Sequence, residues 1–126
     1  MAVFTDCLGR EWDLRVTVAD LEPLRRLAGL DLSGLSAAVG HAGGLISDPE
    51  KLVRVLYHLC SEQAKSQDVS PEAFGRGFAG MILVESARAL MEAIVDFFPL
   101  PPESGANLKE SLKAILHGES KASTIS

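Results

Sequence analysis

The chain has 126 residues, and its 47% hydrophobic and 23% charged residues are enough for one domain with its own core and no covalent staple. A formal net charge of −5 argues against a protein that grips a phosphate backbone, which needs clustered lysine and arginine. Its two cysteines, Cys7 and Cys60, are too few and too far apart for a disulfide framework or a zinc site, and free thiols fit a reducing cytoplasm.

The amino terminus meets charge at Asp6 and Arg10 before a signal-peptide core can form, and the longest apolar run, 78–84, stops at Glu85. A soluble protein that is neither secreted nor membrane-spanning is expected. Ala2 to Thr5 reads as a short strand, and Asp6-Cys7-Leu8-Gly9 has the residues of a turn. Residues 11–18 then alternate strictly, with Trp12, Leu14, Val16 and Val18 on one side. Together they predict an amino-terminal β-hairpin whose apolar face must be covered by helices, with Trp12 as a core anchor. A helix follows with Asp20 as its cap, so that Pro23 falls in the first turn, and Gly29 ends it. Its inner face is Leu21, Leu24, Leu27 and Ala28, while Arg25 and Arg26 mark the solvated side.

Gly34, Gly40, Gly43 and Gly44 oppose a long helix over residues 30–47, which are expected to form a short turn or a single helical turn. Asp48-Pro49 starts the central helix. Leu52, Val53, Val55, Leu56, Leu59, Cys60 and Ala64 give it one apolar face. Ser70 caps a short helix carrying Ala73, Phe74 and Phe78, and a break is expected near Gly80. The next helix turns Ile82, Leu83, Ala87, Leu90, Met91, Ile94, Val95 and Phe98 to the core and ends at Pro99. Glu85, Arg88, Glu92 and Asp96 are its polar positions, with Glu85 and Arg88 spaced to pair. These elements predict an α+β, mainly α fold: a hairpin packed on about four to five helices. The domain spans residues 1–99. Residues 100–126 are expected to form a proline-linked carboxy-terminal helix and a mobile tail.

No catalytic constellation is visible. His41, His58 and His117 lie in three different elements without metal-ligand spacing, and His58 and Cys60 point to different sides of a helix. The glycines of 34–44 lack the lysine and flanking strand of a phosphate loop. Asp20, Glu22 and Asp31 are accounted for by helix ends. The expectation is a non-enzyme without metal or cofactor. The amphipathic stripe Leu108, Leu112, Ile115 and Leu116 is the candidate partner-binding element.

Four stretches in order, GREWDLRVTV, DPEKLVRVLYHLC, DVSPEAFGRGFAG and ALMEAIVDFFP, resemble the tail assembly chaperones of long-tailed bacteriophages over residues 4–99. The likeness is carried by a Gly-Arg-x-Trp hairpin, an Asp-Pro helix start, a Val-Ser-x-Glu-x-Phe-Gly start and a terminal Asp-Phe-Phe-Pro. It implies a helper in the cytoplasm of the infected bacterial host. Such a helper keeps the tape-measure protein soluble and brings tail-tube subunits to it, without catalytic residues, nucleic acid or membrane, and a homo-oligomer is left open. Two alternatives stand beside it. One is a structural tail or head-completion protein. The other is a small regulator using residues 48–64 and 70–78 as a helix-turn-helix, with Arg76 as its base.

Overall fold

A computed structural model describes residues 2–32 and 34–98; the second expected unit, 100–126, lies outside them. The fold is α+β and mainly helical. Two short strands, β1 (Val3–Thr5) and β2 (Glu11–Asp13), pair antiparallel with Phe4 opposite Trp12. The expected alternation outlasts the ladder: Trp12, Leu14 and Val16 are buried, and the Leu14 amide still donates to the Ala2 carbonyl at 2.8 Å. It fails at Val18, which is 74% exposed because the chain there has entered a 3-10 turn, Val18–Asp20.

The chain enters the first helix through a 3-10 turn, and the Asp20 side chain serves that turn and makes no cap hydrogen bond to the helix it was expected to start. The Thr17 amide donates to Asp20 Oδ2 at 2.8 Å, closing the 3-10 turn, and α1 (Leu21–Ala28) continues from Asp20 with Pro23 in its first turn. Gly29 ends α1 in the left-handed region at φ +69°, where its amide donates to the Arg25 carbonyl.

Residues 30–47 correct the sequence expectation. They contain a ten-residue helix, α2 (Leu35–Gly44), followed by a 3-10 turn, Leu45–Ser47. The small residues serve packing: Ala38 and Ala42 are fully buried, and a Cβ at Gly43 would lie 3.3 Å from Met91 Sδ. The propensity cost of about 1 kcal/mol per glycine is offset by burial against the long helix that carries Met91.

Asp48 caps α3 (Pro49–Leu59), accepting from the Lys51 amide at 3.4 Å. The helix expected to run to Ala64 instead bends at Cys60 (φ −101°, ψ 8°) and resumes as α4 (Ser61–Ser66). Hydrogen bonds continue through the bend, from Cys60 to Leu56 and from Ala64 to Cys60. On α4 the Gln63 amide clasps the backbone of Asp13, donating to its carbonyl at 2.7 Å and accepting from its N–H at 3.0 Å. A side chain thus adds one rung to the edge of β2.

Ser70 caps α5 (Pro71–Gly75), its Oγ accepting from the Ala73 amide at 3.1 Å. The break falls at Gly80, with φ +59°, and α6 (Met81–Phe97) runs through the centre of the molecule. Ala89 to Val95 are all buried, so Glu92 is inside, where a polar outer position was expected. Its charge is answered by Arg88 at 3.0 Å, in place of the Glu85–Arg88 pair. Among the described residues there are six α-helices, where about four to five were expected, because 35–44 folds and 48–64 divides.

Candidate binding groove

Two of the stretches that carry the phage resemblance come together in space. Asp6, at the hairpin turn, is buried at 4% exposure, and its two oxygens accept four hydrogen bonds. Oδ1 takes the amides of Leu8 and Arg10, both at 2.9 Å. Oδ2 takes Arg10 Nε at 2.8 Å and Trp12 Nε1 at 3.0 Å. Burial pushes the Asp6 carboxyl up, but the Trp12 indole, Arg10 and the amides outweigh it and hold it below 3.8.

Arg10 reaches on to the Ala73 carbonyl of α5 at 2.9 Å and lies 5.7 Å from the centre of the Trp12 ring. Trp12 meets Phe74 edge-on at 4.9 Å, and the Cys7 amide donates to Gly77. Gly77 is required here, because a Cβ would sit 2.6 Å from Asp6 Oδ2. The Gly-Arg-x-Trp and Val-Ser-x-Glu-x-Phe-Gly segments are therefore one packing unit. Every bond of Asp6 is spent inside it, so the unit is a structural tie.

An open surface lies beside this tie. Leu27 of α1, Val53, Arg54, Tyr57 and His58 of α3, Ser61 of α4 and Pro71 of α5 line a groove of about 370 Å³. Its origin is geometric. Leu24, Leu52, Val55 and Leu56 bury completely between α1 and α3, whereas Val53, about 100° further round α3 from Leu52, is only half covered. Tyr57 is half-buried, its ring edge-on to Phe74 at 5.3 Å.

The polar groups of the groove are placed by helix ends and turns. His58 Nε2 sits 2.9 Å from Asp20 Oδ1, tying α3 to the turn that precedes α1. Arg54 pairs loosely with Glu50 at 3.5 Å, with both side chains largely exposed. Ser61, His58 and Asp20 have the residue types of a hydrolytic triad, but among the described residues no hydrogen bond joins Ser61 to His58. What these walls can do is bind apolar surface. A larger cleft of about 420 Å³ at the end of α6 is walled by Asp13, Arg15 and Asp96 as well as Leu14, Val16 and Phe97. Its charges make it a poorer match for an apolar surface.

The expected partner-binding residues Leu108, Leu112, Ile115 and Leu116 lie outside the described residues. The groove went unnoticed in the sequence because Val53 and Leu27 were counted as core. The available signal was that Val53 lies about 100° round the helix from Leu52, at the margin of the apolar face. Among the described residues no group of three His, Cys, Asp or Glu side chains could hold a metal ion, and no helix is long and apolar enough to cross a membrane. Cys60 is buried and its thiol is pushed up to about 12 by burial and the nearby Asp13 charge, while Cys7 is exposed. The second helix of the helix-turn-helix reading, α5, has five residues, and Arg76 pairs with Glu72 at 3.5 Å. Compared with known family models, curated proteins and solved structures, the chain matches none.

Proposed function

We propose that this chain is a tail assembly chaperone of a long-tailed bacteriophage. It acts in the infected host's cytoplasm, masking apolar helical surface of the tape-measure protein and bringing tail-tube subunits to it, without covalent chemistry. The observation that supports the reading is the open groove between α1, α3 and α5, whose walls Leu27, Val53, Tyr57 and Pro71 suit an apolar helix face. Burial of such a face yields about 25 cal/mol for each Å² and is reversible, as a helper that must later release its client requires.

The test is co-expression with the tape-measure protein. The soluble fraction of the client is compared for the full chain, a chain ended after Pro102, and no partner at all. The full chain is expected to raise the soluble fraction several-fold. Loss of that effect in the shortened chain assigns part of the docking to Leu108, Leu112, Ile115 and Leu116, and an equal effect assigns it to the groove. A client equally insoluble with and without the full chain sinks the proposal. Recovery of the chain as a stoichiometric component of purified particles also sinks it, in favour of a structural tail or head-completion protein.

A further inference from the structure

The groove has a charge preference that the whole molecule does not share. The chain carries a net charge of −5, yet the groove is lined by the guanidinium of Arg54 and the imidazole of His58, and no carboxylate lines it. Glu50 and Asp20, which face these two groups, stand outside the walls. The Arg54–Glu50 pair is of the weak, exposed i,i+4 kind, so an incoming carboxylate competes for the guanidinium at little cost. A guanidinium on a groove edge also favours a carboxylate over other partners, because it offers two parallel donors.

We infer that the groove takes an amphipathic helix whose apolar ridge lies on Leu27, Val53, Tyr57 and Pro71 and whose edge beside Arg54 carries glutamate or aspartate. The inference rests on the chaperone reading only for the identity of the natural client. The acidic edge sets which helices are accepted and the register in which they lie. The apolar ridge supplies the affinity.

The probe is an alanine-based helical peptide with leucines at three- and four-residue spacing, flanked on one edge by glutamates and, in a second version, by lysines. Binding to the full chain is followed by fluorescence anisotropy at low salt. The glutamate peptide is expected to bind about fivefold more tightly than the lysine peptide, and Arg54→Glu to reverse the order. Bulk attraction to a chain of charge −5 favours the lysine peptide, so a preference for glutamate can only arise locally. Tighter binding of the lysine peptide to the unaltered chain overturns the inference, and so does an order that Arg54→Glu leaves unchanged. Arg54 is exposed, so that variant leaves the core intact.

A second arm separates this inference from the chaperone reading. Val53→Glu places a charge in the groove floor and is expected to abolish both peptide binding and client rescue, with the helical circular dichroism retained. If the unaltered chain keeps the tape-measure protein soluble and Val53→Glu does so equally well, the groove assignment falls and the chaperone reading stands. If the unaltered chain shows the glutamate preference but rescues no client, the groove assignment stands and the chaperone reading falls.

Discussion

A buried carboxylate persists only where its charge is answered, and the four donors around Asp6 answer it. Because its folded carboxyl is held below 3.8, Asp6 stabilises the fold above that pH. The contribution is lost as pH falls through the folded value, where the native state must also take up the proton. Asp6→Asn keeps the shape, removes the charge and leaves Arg10 without its partner, at a cost of about 3 kcal/mol near neutrality. Urea unfolding against pH checks this: the gap between the two proteins is expected to be flat from pH 7 to about 5 and to close below about 4. A gap independent of pH down to the acid transition would show that the hydrogen-bond geometry, and not the charge, carries the tie.

At the scale of the element, α2 shows two glycines in one helix with opposite tasks. Gly40 is exposed and an added Cβ would meet nothing within 4 Å, whereas one at Gly43 would press on Met91 Sδ at 3.3 Å. Gly40→Ala is therefore expected to stabilise the protein by about 0.5–1 kcal/mol, through the lost freedom of the unfolded chain. Gly43→Ala gains the same entropy but must displace Met91, and is expected to be neutral or destabilising. Paired urea midpoints decide the matter, and equal gains at both sites would remove the close-packing account of α2. The bend at Cys60 is an element-scale feature too. It divides one apolar stripe into α3, which forms the groove, and α4, which carries Gln63 to the strand edge.

For the whole molecule, the core is a single cluster in which Trp12, Leu24, Leu56, Phe74, Leu90 and Ile94 are fully buried, as their periodicity indicated. Leu59 and Phe98 were expected there as well but are half-covered. Leu56→Ala removes a side chain of zero exposure and is expected to cost about 2–5 kcal/mol, read as a drop in the thermal midpoint. A cost below about 1 kcal/mol would mean that the site collapses around the loss and that the α1–α3 contact is not rigid.

What the sequence determined by itself is everything encoded within one turn of helix or one pair of strand residues. The alternation from Trp12 to Val16 set the hairpin's buried face. Asp48 and Ser70 marked two helix starts, and Gly29 and Gly80 a stop and a break. These signals are local, since they depend on caps, positive φ and side-chain period alone. Only the tertiary structure decided the rest. The glycines of 34–44 read as flexibility until Met91 is seen against Gly43. Glu92 reads as solvated until Arg88 is seen to answer it inside. The groove exists because α1, α3 and α5 meet at angles that cover Leu52 and leave Val53 half open. Propensity assigns each residue a cost, but burial against a neighbour distant in the chain is worth more than that cost, and its location is not a property of any short segment.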